Sequence, residues 1–249
     1  MTNLFREARR GPLVAPSILS ADFASMGDDC RAVLNTASGG TGGDTGAELL
    51  HLDVMDGHFV PNLTMGPDMC KGLRKAFPNA MLDVHLMVTD PMQYVDSFAA
   101  AGADHFTFHV EPAIGIYRSK GKVEGPSRYD PAEVIAAIHE KGMTAGLAIN
   151  PPTEPDSLSP WLDQVEMVLV MSVNPGYSGQ KFIEMSLDTT RAVRRFLRDD
   201  QFIQMDGGIG PANASAVKEA GCDVLVAASA IFGKPESERI GAINSIRDA

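Results

Sequence analysis

The stretch LLHLDVMDGHF (residues 49–59) reads as a short buried β-strand that runs into a polar turn. Its apolar run has strand length, and the Asp56-Gly57 pair that follows is turn chemistry. Side chains alternate along a strand, so His51, Asp53 and Met55 share one face. The arrangement returns in MLDVHLMV (81–88), where Asp83, His85 and Met87 share a face. In FIQMDGG (202–208), Asp206 closes a third such run. Polar residues gathered at the ends of apolar strands describe an α/β fold with its chemistry at one end of the sheet.

Outward from these three, five more apolar runs are strand candidates: LVAPSIL (13–19), HFTFHVE (105–111), TAGLAIN (144–150), MVLVMSV (167–173) and VLVAAS (224–229). Helical patterns alternate with them near 22–36, 68–77, 91–102, 131–142, 155–164, 185–199, 211–220 and 236–248. Asp90-Pro91, Asp130-Pro131 and Gly210-Pro211 mark helix starts, and Gly102, Gly142 and Gly221 mark ends. Eight β/α units in 249 residues is the count and size of a single (β/α)8 TIM barrel. The alternative architecture is a doubly wound open sheet. The even count and the lack of an early GxGxxG weigh against it.

No shift in composition marks a linker, so residues 1–249 are expected to form one barrel domain. Two segments read as insertions. SGGTGGDTG (38–46) joins a helix to the next strand and falls on the bottom face. AIGIYRSKGKVEGPSRY (113–129) follows the fourth strand and falls on the catalytic face. It carries Arg118, Lys120, Lys122 and Arg128 in a chain of net charge −11. It is expected to form part of the active-site rim or a subunit contact, and to attract an anionic substrate.

No dense block of Lys and Arg is present, which argues against a nucleic-acid partner. No apolar run approaches the ~20 residues of a membrane span, and the first residues lack the apolar core of a signal peptide. Cys30, Cys70 and Cys222 are widely spaced with no CxxC, which fits reduced thiols and a cytoplasmic location.

Two His and two Asp from three strands can converge on one divalent cation. His and carboxylate donors suit Zn, Fe, Co or Mn alike. Asp53 and Asp206 would approach a substrate on the barrel axis from different sides. One can remove a proton from a carbon and the other return it on the opposite face, which inverts a stereocentre. Asp83 reads as a buried, hydrogen-bonded barrel residue. His58, His105, His109 and His139 read as structural or surface. NPGYSGQKF (174–182), DGGIGP (206–211) and AASAIFG (227–233) follow strands 6, 7 and 8. Their small residues let backbone N–H groups approach a phosphate. Met55, Met87 and Met171 fall near the tops of three strands, where they can wall off water.

At these residues the chain resembles the ribulose-phosphate 3-epimerase family. The motifs that carry the resemblance run from APSILSADF (15–23) through HLDVMDGHFVPNLTMGP (51–67), DVHLMV (83–88), FHVE (108–111), MSVNPGYSGQKFI (171–183), DGGI (206–209) and SAIF (229–232). The resemblance implies interconversion of D-ribulose 5-phosphate and D-xylulose 5-phosphate at C3, in the pentose phosphate or Calvin pathways. The route is two-base proton transfer through a cis-enediolate whose charge a metal stabilises. An epimerase of another ketose phosphate, such as D-allulose 6-phosphate, is the nearest alternative. A barrel lyase with a DxKxxD strand is disfavoured, since strand 2 has no lysine.

By the same resemblance, His51, Asp53, His85 and Asp206 are the metal ligands, and Asp53 and Asp206 the acid/base pair. Ser17, His51, His85, Met55, Met87, Met171, Gly176, Tyr177, Ser178, Gly179, Gly207, Gly208, Ala228 and Ser229 contact substrate or phosphate. One divalent metal, a sugar-phosphate substrate and a homo-oligomer are expected. The chain departs from the family at Ser178 and Ala228, where glycine is usual. Both keep a backbone N–H.

Overall fold

A computed structural model of the chain describes residues 3–7, 11–34, 46–115, 118–119, 122–123 and 129–249. The first insertion up to residue 45, and Tyr117 and the four basic side chains of the second, lie outside the described residues. Eight barrel strands follow the expected order: β1 (Leu13–Pro16), β2 (Leu49–Met55), β3 (Met81–Met87), β4 (His105–His109), β5 (Thr144–Ile149), β6 (Met167–Met171), β7 (Phe202–Asp206) and β8 (Val224–Ala227). Consecutive strands from β2 to β8 pair in parallel, and β8 pairs in parallel with β1. A parallel bridge between Ser17 and His51 closes the ring. The fold is a (β/α)8 barrel. A two-residue antiparallel ribbon, 118–119 with 122–123, lies within the second insertion.

The helices are α1 (Met26–Arg31), α2 (Pro67–Ala76), α3 (Val95–Ala101), α4 (Glu111–Ile114), α5 (Pro131–Glu140), α6 (Met185–Phe196), α7 (Ala214–Glu219), α8 (Ser229–Phe232) and α9 (Arg239–Asp248). One expectation fails. Residues 155–164 form two 3-10 turns, Pro155–Leu158 and Leu162–Gln164, and no α-helix. Pro160 lies between them and has no amide hydrogen to donate to a continuing helix.

Every residue of β2 through β6 is buried on both faces. The outward faces (Leu50, Leu52, Val54, Leu82, Leu86) pack under the helices in the main core. The inward faces stack in layers. At the bottom, Phe5 plugs the barrel over Ala15, Leu49, Met81, Met167, Phe202 and Val224. Its ring meets His105 edge-on at 4.7 Å. Next comes a polar layer. His105 Nδ1 lies 2.8 Å from the Thr144 hydroxyl and its Nε2 2.9 Å from that of Thr107.

Two equivalent clasps tie helices to strand starts on the bottom face. Arg74 of α2 donates to the Gly102 carbonyl and pairs with Asp104 at 2.5 Å, and the same carboxylate accepts the Leu82 amide. Arg194 of α6 pairs with Asp223 at 2.6 Å, and that carboxylate accepts the Ile203 amide. Both aspartates stand in AG-x-D strings (101–104 and 220–223).

Gly146 on β5 has no room for a side chain. A Cβ there would meet Thr107 Oγ1 at 2.3 Å and His105 Nε2 at 2.8 Å. Gly146→Ala is therefore expected to destabilise the protein by about 1–3 kcal/mol through overpacking. Gly72, on the exposed face of α2, has nothing within 4 Å of a new Cβ. Gly72→Ala is expected to stabilise by about 0.5–1 kcal/mol. Urea denaturation of the two variants reads both signs.

Candidate active site

In a parallel pair, residues opposite each other lie side by side, and β2 and β3 pair in register. His51 stands opposite Asp83, Asp53 opposite His85 and Met55 opposite Met87. Both strands turn these residues inward, so the barrel's upper interior receives two imidazoles and two carboxylates from one strand pair. Asp206 enters from the end of β7. His51, Asp53, His85 and Asp206 each offer a donor atom, and these atoms lie within 4.8 Å of one another.

Three of the four donors are held by hydrogen bonds. The Ser17 hydroxyl donates to Asp53 Oδ2 at 2.5 Å. His85 Nδ1 lies 3.0 Å from Asp53 Oδ1 and 3.7 Å from Asp206 Oδ2. His51 donates from Nδ1 to Asp83 Oδ2 at 2.7 Å, and Gln204 Nε2 donates to the same oxygen. That leaves His51 Nε2 buried without a hydrogen-bond partner, 3.3 Å from Asp53 Oδ1. A buried imidazole nitrogen with its proton placed on the other side of the ring is a ligand in waiting.

These residues fit a divalent cation. The donors are imidazole and carboxylate, and their spread is close to the ~4 Å between donors across an ion with ~2.1 Å bonds. The charges of the site act on one another. Burial acts to raise Asp53, but the facing His51 and His85 hold its carboxyl well below the usual carboxylate range. Burial and the Asp53 charge push Asp206 up. Burial acts to lower His51, but Asp83 and Asp53 raise it. Burial pushes His85 down to about 4, so its ring is neutral, as a metal ligand must be. Two carboxylates in one site thus differ in their hold on a proton.

Above the donors lies a cavity of about 290 Å³. Ser17, Asp53, Met55, Met87, Met171, Gly176, Tyr177, Ser178, Gly179, Asp206, Gly207, Gly208, Ala228 and Ser229 all line it. His51 and His85 lie fully buried behind Asp53. Leu19, Val173, Gln180 and Ala230 also line the cavity; they fall inside the motifs quoted above but were not singled out within them. The loop after β6 folds onto the Asp-Gly-Gly corner. Ser172 takes the Asp206 carbonyl through its amide and the Gly207 carbonyl through its hydroxyl. Gly208 has φ +64°, and a Cβ there would sit 2.9 Å from the Gln180 carbonyl oxygen and the Phe182 nitrogen. Only glycine permits this approach. Asn62, after β2, donates to the Gly176 carbonyl and ties the loop to the opposite rim.

Two buried residues went unrecognised in the sequence. His109 is not an isolated structural histidine. Its Nε2 lies 2.9 Å from His85 Nε2, and its Nδ1 lies 3.0 Å from Glu111 Oε2. Glu111 Oε1 accepts the Asn150 amide at 2.6 Å and the Thr153 hydroxyl at 2.7 Å. The i, i+2 spacing of His109 and Glu111 was the available signal. Of the other histidines, His105 is buried in the barrel, while His58 and His139 are exposed.

Solved structures similar to this chain include 3-hexulose-6-phosphate synthase, at TM-score 0.60 and 16% identity, covering 96% of this chain and 99% of that one. KGPDC from Streptococcus mutans matches at TM-score 0.63 and 12% identity, covering 96% and 97%. At such identities they show the barrel fold alone. Sequence relatives are far closer. A ribulose-phosphate 3-epimerase of Serratia marcescens is 42% identical over 90% of this chain and 97% of its own length. That of Bacillus subtilis (strain 168) is 40% identical over 94% and 97%. The profile of the ribulose-phosphate 3 epimerase family matches residues 13–232. With its eight strands, its donor cluster and these relatives in agreement, the chain belongs to the ribulose-phosphate 3-epimerase family.

Proposed function

We propose that the chain interconverts D-ribulose 5-phosphate and D-xylulose 5-phosphate by moving the C3 proton between two carboxylates. The observation that carries this reading is the placement of Asp53 and Asp206. They enter one cavity from β2 and β7, three strands apart around the ring, beside a set of four donors. The 40–42% identical relatives named for this activity support it.

Asp53, held ionised by His51, His85 and the Ser17 hydroxyl, is suited to take the proton in one direction. Asp206 returns a proton on the opposite face, and the two exchange roles in reverse. His51, Asp53, His85 and Asp206 would hold a divalent ion of the Zn, Fe, Co or Mn group. Such an ion supplies Lewis-acid stabilisation of the negative charge that builds beside a ketone as its neighbouring carbon loses a proton. Met55, Met87 and Met171 line the cavity next to the carboxylates and exclude water, which protects an enediolate from stray protonation. The backbone at Gly176–Gly179, Gly207–Gly208 and Ala228–Ser229 forms the phosphate end. Those loops follow β6, β7 and β8, where barrels bind phosphate.

Asp53→Asn and Asp206→Asn are each expected to lower turnover of ribulose 5-phosphate by ~10²–10⁴-fold, the worth of acid–base catalysis. A variant that keeps more than a tenth of the activity in a coupled assay removes its residue from the proton path. Solvent deuterium is expected at C3 of the product.

Prolonged chelation is expected to abolish turnover, and one equivalent of divalent ion to restore it. His51→Ala is expected to lower the bound metal found by elemental analysis. Stoichiometric metal in that variant would remove His51 from the ligand set.

A further inference from the structure

We infer that His109 and Glu111 are positioning residues that aim the Nδ1 lone pair of His85 at the donor cluster, by fixing the tautomers of two hydrogen-bonded imidazoles. The inference rests on the proposed metal site and adds two residues that neither line the cavity nor belong to the donor set.

The geometry is a single line of contacts. His85 faces Asp53 and Asp206 with Nδ1 and faces away from them with Nε2. To serve as a ligand, Nδ1 must be bare, so the ring proton must sit on Nε2. His85 Nε2 meets His109 Nε2 at 2.9 Å, with ring centroids 5.0 Å apart and planes 28° apart, so the rings lie edge to edge. Two ring nitrogens at that distance share one proton. If His85 Nε2 donates, His109 Nε2 must accept. A neutral His109 then carries its proton on Nδ1, where Glu111 Oε2 accepts it.

Glu111 sets the direction of the whole line. Its side chain is fully buried, and both oxygens are occupied by donors: the Asn150 amide and the Thr153 hydroxyl on Oε1, and His109 on Oε2. An ionised carboxylate has no proton to give, so polarity runs one way, from His85 through His109 to Glu111. The donors on Glu111 offset its burial and hold the carboxyl below its usual range. Metal-bound histidines are commonly oriented by a carboxylate on the other ring nitrogen. His51 has that arrangement directly, through Asp83. His85 has it at one remove, with an imidazole between.

Glu111→Gln separates this role from structural support. The Asn150 amide requires an oxygen on its side, 2.6 Å away, so the new NH₂ must face His109. It donates to His109 Nδ1, the proton of His109 moves to Nε2, and His85 receives a hydrogen bond on Nε2. The proton of His85 then lies on Nδ1, against the metal. The two contacts along the line survive with their direction reversed, and those from Asn150 and Thr153 are unchanged.

The experiment is a competition titration of metal-free protein with Co²⁺ against a chromophoric chelator, with the melting temperature of each metal-free protein measured beside it. Glu111→Gln is expected to weaken Co²⁺ binding by about 10–100-fold, the usual cost of losing an orienting partner, and to leave the metal-free melting temperature within a few degrees of wild type. His109→Gln presents an oxygen towards His85 and an NH₂ towards Glu111. It preserves the direction and is expected to hold affinity within several-fold. Glu111→Gln that binds Co²⁺ as wild type does overturns the inference. So does His109→Gln that binds as poorly as His109→Phe. Wild-type protein that takes up no Co²⁺ overturns the metal site itself, a separate outcome.

Discussion

The in-register pairing of β2 with β3 is the constraint on which the site depends. The two strands carry mirrored patterns, His-x-Asp-x-Met at 51–55 and Asp-x-His-x-Met at 83–87. In the observed register each rung joins one imidazole to one carboxylate. A slip of one residue in either strand would turn that strand's three side chains out under the helices, where Leu50, Leu52 and Val54 of β2 now pack. A slip of two keeps the faces but sets Asp53 beside Asp83 or His51 beside His85. Two carboxylates side by side in a buried barrel carry a cost of several kcal/mol, and either slip parts the imidazoles from their carboxylates. Burial fixes which face points inward, and charge fixes which rung meets which.

This arrangement concentrates desolvation in one place. Asp53, Asp83, His51, His85, His109 and Glu111 are all buried within a few strands of each other. Asp83 Oδ1 and Gln204 Oε1, in the layer just below the donors, have no hydrogen-bond partner. An uncompensated buried polar atom costs about 1–3 kcal/mol, so the upper barrel weakens the fold that carries it. The bottom half supplies the balance: the Phe5 plug, the wholly apolar layer above it and the two Arg–Asp clasps. In barrels, stability at one end and chemistry at the other is the usual division.

The strands were legible because barrel strands buried on both faces read as unbroken apolar runs. The donors were legible because a charged residue inside such a run has few other reasons to be there. The helix at 155–164 misled, since its apolar spacing outweighed a proline in its middle. His109 and Glu111 sit at the end of β4 and the start of α4, where the register that brings His109 to His85 depends on the tilt between strands. No local pattern encodes that tilt. Nor does local sequence show that Gln204, two residues before Asp206, reaches across the barrel to Asp83. Within-strand relations could be read by alternation, whereas cross-barrel relations had to be seen.

The same alternation explains why so few positions produce so many functions. Two residues along a strand advance about 6.6 Å and return to the same face, so each inward step on β2 and β3 opens a new layer. Leu49 and Met81 belong to the apolar floor. His51 and Asp83 form the anchoring rung, Asp53 and His85 the donor rung, and Met55 and Met87 a thioether collar above it. On the far side, Met171 of β6 stands in register with Asp206 of β7, which completes both the donor layer and the collar. A thioether accepts hydrogen bonds weakly and adapts its shape. A collar of three next to two carboxylates therefore offers water little to hold on to. Chemistry in this barrel is set by height, and height is counted in pairs of residues from the strand's first buried position.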